Sequence, residues 1–216
     1  MFKDRFDAGH QLLEKLLEYK DNPNVVVLAI PRGGLEVGYI IARGLHVPFD
    51  IILTKKIGYP GNPEYAIGAV SADHEALDPR IQLFGPEMAG YIEHEVKRLR
   101  QEIRNRYKKY ECARPGIDLN GKTVIITDDG VATGQTLEVT LEVLKKSNPA
   151  KIIVALPVLP REALKRLEEH GYKVIYSLIP QLFLSVGQFY EKFDQVEDTE
   201  ALELLREGNL LSSHKV

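Results

Sequence analysis

Residues 124–137 read VIITDDGVATGQTL, an apolar run, two adjacent acids, a small-residue turn with hydroxyls, and then a new apolar spacing. Thr123 to Ile126 is rich in β-branched residues and bounded by polar ones, which predicts a buried strand. From Gly134 onward, Leu137, Thr140, Leu141 and Leu144 repeat at helical spacing. The turn therefore lies where a strand hands over to a helix N-terminus. Unpaired backbone N–H groups and the helix dipole favour an anion at such a place. Ala132, Thr133, Gly134, Gln135 and Thr136 offer N–H groups and hydroxyls to a phosphate. Asp128 and Asp129, at the strand's C-terminal edge, are placed to accept hydrogen bonds from a vicinal diol. Phosphate donors beside diol acceptors describe a site for a ribose 5-phosphate; the alternative is an ordinary loop with an acidic lip.

The rest of the chain alternates in the same way. Leu12, Leu13, Leu16 and Leu17 form an amphipathic first helix, and Val25 to Ile30 a continuous apolar strand. Pro31-Arg32-Gly33-Gly34 is a turn, Leu35 to Leu45 a helix, and Phe49 to Thr54 a second buried strand ending at Lys55-Lys56. Ile57 to Pro63 is rich in Gly and Pro and reads as a loop, closing into a short strand over Tyr65 to Val70. Asp78 to Gly116 is an excursion whose helix carries Val96, Leu99, Ile103, Tyr107 and Tyr110 on one face. Strands are predicted over Ile152 to Leu156 and Lys173 to Ile179, with a helix over Arg161 to His170 between them. This pattern predicts an α/β fold with a mostly parallel, five-stranded sheet flanked by helices. Ligands of such sheets gather at the strands' C-terminal ends, where Arg32, Lys55 and Asp128 fall.

Length and composition bound the alternatives. The chain has 216 residues and a formal net charge of −3, so nothing global points to nucleic acid or an anionic membrane. One cysteine, Cys112, permits no intramolecular disulfide and fits a reducing compartment. The opening MFKDRFDAGH is too polar for a signal peptide and no apolar run is long enough to span a bilayer. A cytoplasmic location and no membrane partner are expected. The six histidines lack metal-ligand spacing, and neither GxxxxGK[ST] nor GxGxxG occurs. Residues 97–114 form a basic stretch, read as the solvated face of a helix with an inward apolar stripe. Nucleic-acid binding by that stretch is the rival reading.

DDGVATGQT resembles the phosphoribosyl diphosphate (PRPP) binding motif of the type I phosphoribosyltransferases. LAIPRGG, GYPGNPEYAIGAV, the opening FKDRFDAGHQLLEKL and the tail SVGQFYEKF extend the likeness to nearly the whole chain. Together they resemble a stand-alone group of bacterial and archaeal members whose acceptor is not settled. The resemblance implies that Asp128 and Asp129 hold the ribose hydroxyls and that Ala132 to Thr136 hold the 5′-phosphate. It implies that Pro31, Arg32, Gly33 and Gly34 hold pyrophosphate, with a cis peptide at Pro31–Arg32. Lys55 or Lys56 is expected to neutralise the leaving group. Glu64 sits in a loop that covers the site and is a candidate proton acceptor. Ala132 fits the adenine enzymes' version of the motif; the hypoxanthine-guanine enzymes carry Asp there.

The resemblance further implies Mg²⁺ bound mainly through substrate, with Asp128 and Asp129 as its protein contacts, and a homodimer. It implies one domain over 1–216, a flexible loop and helical excursion at 57–116, and a hood or cap at 176–216. Gln181 and Phe183 of the hood are candidates for reading an acceptor base. The expected activity is transfer of the phosphoribosyl group of PRPP to a nitrogenous base or related acceptor. The alternative is a PRPP- or nucleotide-sensing regulator with little turnover.

Overall fold

The computed structural model describes residues 1–210, with the side chains of Glu64, Gln82, Leu83, Phe84 and Pro86 excepted. Residues 211–216 of the expected cap lie outside the described residues. The described chain folds as two compact units: residues 1–52, 112–134 and 149–210 form the first, and residues 53–111 and 135–148 the second.

The first unit is built on a five-stranded, wholly parallel sheet. Its strands are β1 (Val25–Ala29), β2 (Phe49–Ile51), β6 (Thr123–Thr127), β7 (Lys151–Val158) and β8 (Lys173–Leu178), in the spatial order β2-β1-β6-β7-β8. All five residues of β1 are buried, as are Val124 to Thr127 of β6. Continuous apolar runs of this kind belong to parallel strands covered on both faces. The register pairs Val25 with Thr123 and Ala29 with Thr127, so β1 and β6 end side by side. Helices α1 (Arg5–Leu16), α2 (Gly34–Leu45), α5 (Arg161–Glu169) and α6 (Asp198–Leu210) complete the unit. Asp4 caps α1 by accepting the Asp7 N–H at 2.8 Å. Leu12 and Leu16 are wholly buried, but Leu17 leaves the helix stripe and is 53% exposed. Asp50, in the middle of β2, is 2% exposed and is neutralised by Arg114, whose guanidinium donates to both carboxylate oxygens at 2.7 and 3.1 Å.

The second unit differs from the sequence reading. The Gly/Pro-rich stretch is not a loop but an antiparallel hairpin of β3 (Lys55–Tyr59) and β4 (Asn62–Val70), extended by β5 (Glu75–Leu77). Lys55 and Lys56 therefore open β3 rather than end β2, which stops at Ile51. Pro60-Gly61 makes the tight turn, and the register shifts at Gly58, where a Cβ would lie 2.7 Å from the Pro63 Cα. The glycine is there because the facing backbone comes close. The basic helix is α3 (Pro86–Lys108), which ends short of Arg114. Its Met88, Ile92, Val96, Leu99 and Ile103 pack with Ile57, Ile67 and Val70 of the hairpin. Two of its cations are answered locally: Arg98 donates to Glu95 and Glu102, and Arg100 to Glu75. Helix α4 (Gln135–Lys145) completes the unit. No helix among the described residues is long and apolar enough to cross a membrane.

Candidate active site

The C-terminal ends of β1 and β6 bring two loops together. After β1 the chain turns through Pro31-Arg32-Gly33-Gly34 into α2, and the Pro31–Arg32 peptide is cis, as expected. After β6 it runs through Asp128 and Asp129. The two loops are tied where the Ile30 N–H donates to the Thr127 carbonyl at 2.9 Å. Gly33 is required by its neighbour, because a Cβ there would lie 2.0 Å from Asp129 Oδ2. A Cβ on Gly34 would meet the Asp128 Cα at 2.9 Å. The glycine turn is thus pressed directly against the acid pair, and only residues without a side chain permit that approach.

The pair is electrostatically uneven. Asp129 accepts a hydrogen bond from Arg5 Nε at 2.8 Å, with its side chain 14% exposed. The same guanidinium donates through its Nη1 to Glu36 Oε2 at 3.2 Å and to the Asp194 carbonyl at 2.7 Å. The Phe193 ring lies under it at 3.8 Å. Asp128 accepts the Asp129 N–H at 2.8 Å. Burial, and then the neighbouring Asp129 charge, push the Asp128 carboxyl well above the usual carboxylate range. Burial also raises Asp129, against the opposing pull of Arg5. Glu36 is raised for the same first reason. Three carboxylates share one guanidinium.

The turn that follows is anchored from several sides. The Tyr190 hydroxyl donates to the Asp129 carbonyl at 2.5 Å, and burial raises the pKa of that phenol. The Val131 N–H donates to the Val158 carbonyl at 3.2 Å, and Arg166 of α5 donates to the Thr133 carbonyl. Ala132 and Thr133 are exposed, Gly134 has φ +80°, and Gln135 and Thr136 open α4. An exposed turn of this kind has the backbone N–H donors an oxyanion needs.

Of the other residues singled out by sequence, Arg32 lies in the glycine turn, with its Nη1 3.5 Å from Asp198 Oδ1 at the start of α6. Phe183 packs on Phe189 at 5.1 Å between ring centroids, in a cluster with Phe2, Val158 and Tyr190. Gln181 is exposed. Lys55, Lys56 and Glu64 belong to the second unit, where Lys55 is paired with Glu102. The Glu64 side chain lies outside what is described. Among the described residues no group of three His, Cys, Asp or Glu side chains is placed to hold a metal ion. A divalent cation here fits the acid pair only as a partial contact, carried mainly by phosphate oxygens and water.

Sequence reasoning missed Arg5 and Glu36, and read Tyr190 and Phe193 only as residues that pack a cap onto the sheet. Arg5 had a visible signal: with Ala8, Leu12 and Leu16 it lies on the buried stripe of α1, a position where an unpaired cation is not tolerated.

Comparison with known proteins identifies the family. Residues 2–193 match the model of the phosphoribosyl transferase domain. Two Mycobacterium tuberculosis sequences, from strains CDC 1551 and H37Rv, are provisionally named phosphoribosyl transferases. Each is 32% identical over 206 residues, covering 95% of this chain and 46% of its own length. The chain spans about half the length of the curated relatives it matches. The crystal structure of TT1426 from Thermus thermophilus shares 37% identity at a TM-score of 0.86, over 95% of this chain and 98% of that one. A stretch of 52 residues is 44% identical to uracil phosphoribosyltransferase of Aquifex aeolicus, 25% of that protein's length.

Proposed function

Because the chain belongs to the phosphoribosyl transferase domain family, we propose that it transfers the 5-phosphoribosyl group of PRPP to a nitrogen nucleophile and releases pyrophosphate. One observation supports this most: the acid pair of DDGVATGQT stands at the end of a central parallel strand with the PRGG turn in contact with it. A ribose site and a pyrophosphate site then adjoin, as a substrate joining both groups at C1 demands.

In this reading Asp128 and Asp129 accept from the ribose 2′- and 3′-hydroxyls. The small-residue turn Ala132-Thr133-Gly134 receives the 5′-phosphate. The glycine turn and Arg32 receive the pyrophosphate. The C1–O bond breaks with its electron pair going to pyrophosphate, the sugar passes through an oxocarbenium-like state, and the C1–N bond forms. The protein's work is positioning and charge stabilisation, with no covalent intermediate on the enzyme. Mg²⁺, bound mainly through the substrate, supplies neutralising charge on the leaving group. Ala132 leaves the position open that an Asp occupies in hypoxanthine-guanine enzymes, which favours an acceptor other than those two bases. A nucleobase acceptor would make the reaction one of nucleotide salvage.

The test is pyrophosphate release from Mg²⁺–PRPP across purine, pyrimidine and pyridine bases, alongside melting of the protein with PRPP. Release with one base establishes the reaction and its acceptor class. PRPP stabilisation with no release from any base favours the sensor. The absence of both release and PRPP stabilisation overturns the assignment of Asp128 to Thr136.

A further inference from the structure

Arg5 lies in the opening stretch FKDRFDAGHQLLEKL, to which the sequence assigned no site role, yet its guanidinium bonds Asp129, Glu36 and the Asp194 carbonyl at the site. It is 6% exposed and contacts three elements. From the first turn of α1 it donates to Asp129 at 2.8 Å, to Glu36 of α2 at 3.2 Å and to the Asp194 carbonyl at 2.7 Å, while the Phe193 ring covers one face. The strap carrying those last two groups is itself tied to the acid pair, because Tyr190 donates to the Asp129 carbonyl. It is also tied to the N-terminus. The Phe2 N–H donates to the Phe189 carbonyl at 2.8 Å, and the Glu191 N–H donates to the Phe2 carbonyl at 2.9 Å.

We propose that Arg5 is a positioning residue for the ribose subsite, fixing the Asp129 carboxylate in one orientation so that both acids of the pair face the substrate diol. The inference rests on the phosphoribosyl reading given above. A planar guanidinium that is stacked on a ring and hydrogen-bonded to three oxygens has no freedom left, so the carboxylate it holds has little. Glu36 keeps the guanidinium from following Asp129 if that carboxylate moves toward ligand. Asp128 has no such clamp among the described residues and is the member left to adjust. Among the described residues Arg5 makes no hydrogen bond to Pro31, Arg32, Gly33 or Gly34, although a Cβ on Gly33 would lie 3.2 Å from its Nε, so its main effect should fall on the sugar.

That confinement makes the test selective. Calorimetry would compare wild type, Arg5→Gln, Arg5→Lys, Asp129→Asn and the Arg5→Gln/Asp129→Asn double variant against three probes: Mg²⁺–PRPP, ribose 5-phosphate and Mg²⁺–pyrophosphate. Arg5→Gln should weaken PRPP and ribose 5-phosphate by about tenfold or more, the usual effect of removing a group that orients a ligating side chain. Pyrophosphate binding should stay within about twofold of wild type. Arg5→Lys should recover part of the loss, since an ammonium reaches one carboxylate but lacks the fork and the stack. In the Asp129→Asn background, Arg5→Gln should add little further loss, because both changes remove the same interaction. Equal weakening of all three probes, or full additivity in the double variant, would overturn the inference. So would wild-type affinity for ribose 5-phosphate in Arg5→Gln. If Arg5→Gln does not fold, Arg5→Lys carries the same comparison, and the same selectivity or its absence decides. Wild-type protein that binds neither PRPP nor ribose 5-phosphate defeats the phosphoribosyl reading itself. Binding by wild type that is indifferent to Arg5 defeats only the role given to Arg5.

Discussion

Replacing Asp128 with Asn should make the unliganded protein more stable and abolish its response to PRPP. Asp128, Asp129 and Glu36 share the single guanidinium of Arg5, and Arg5 bonds the latter two. Asn keeps an oxygen to accept the Asp129 N–H, held at 2.8 Å in the native protein, and removes only the charge. Because the folded carboxyl titrates above its ordinary value of about 3.9, the folded state retains a proton that the unfolded chain has lost. Stability therefore falls as pH rises from that ordinary value toward the raised one, and the deficit is full above it. Each unit of upward displacement is worth about 1.4 kcal/mol. Relieving a destabilised functional group commonly returns about 0.5–2 kcal/mol. For a chain of this size that is a rise in Tm of about 1–8 °C. Melts of both proteins from about pH 4 to pH 8 without ligand should coincide near the acid end and separate progressively toward neutrality. With PRPP at about 100 times its Kd, the wild type should gain about 2.7 kcal/mol and the Asn variant nothing. An Asn variant that melts at or below wild type at every pH refutes the claim that Asp128 is held under electrostatic strain.

Three further outcomes follow from the same geometry. Gly33→Ala puts a Cβ 2.0 Å from Asp129 Oδ2; overpacking of this kind costs about 1–3 kcal/mol and should displace the carboxylate, so calorimetry should show PRPP binding lost while the protein stays folded. Arg32→Ala should weaken pyrophosphate, measured by direct titration, by roughly tenfold as a charge-assisted contact is lost. It should leave Tm nearly unchanged, since the pair with Asp198 is long, at 3.5 Å, and partly open to solvent. Arg114→Ala strands the Asp50 charge in β2, at 2% exposure, and should cost about 3 kcal/mol or more in chemical denaturation; the Asp50→Asn/Arg114→Met double variant should recover most of it.

The sheet was legible because its strands obey a simple rule. Val25 to Ala29 and Thr123 to Thr127 are buried on both faces, so their apolar residues are continuous and flanked by turns, and no helix pattern competes. Of the hairpin, Tyr65 to Val70 read as a strand and lies within β4, but the rest was not legible, for the opposite reason. The residues missed include Gly58 and Pro63, and composition alone assigns such residues to loops. What keeps them in strands is tertiary: the facing backbone closes on Gly58 and again on Gly68, where a Cβ would meet the Ala76 carbonyl at 2.7 Å. Helix α6 escaped because its sequence, DTEALELLREGNL, spreads its leucines with little contrast between faces, and its buried residues are decided by what it packs against.

At the candidate site the divide falls between residues that form a contiguous motif and residues that meet only in space. DDGVATGQT and PRGG each carry their meaning in order, and a turn after a strand needs no knowledge of the rest of the chain. Arg5, Glu36, Tyr190 and Phe193 are scattered from one end of the chain almost to the other, and the stretches FKDRFDAGHQLLEKL and SVGQFYEKF, which hold three of them, point to no site role for any. One of them still broke a local rule. An arginine on the stripe of Ala8, Leu12 and Leu16 has to find a buried anion or fold out into water, and Asp4 capping α1 fixes the helix start so that Arg5 cannot swing away. The charge balance then points to its partner. An acid pair brought to the end of a central strand requires a cation, and Arg32, in the adjoining turn, is engaged by Asp198 instead. A buried cation and an under-compensated acid pair in one unit are two halves of one observation, and pairing such violations is a route from sequence to the supporting residues of a site that motifs alone do not reach.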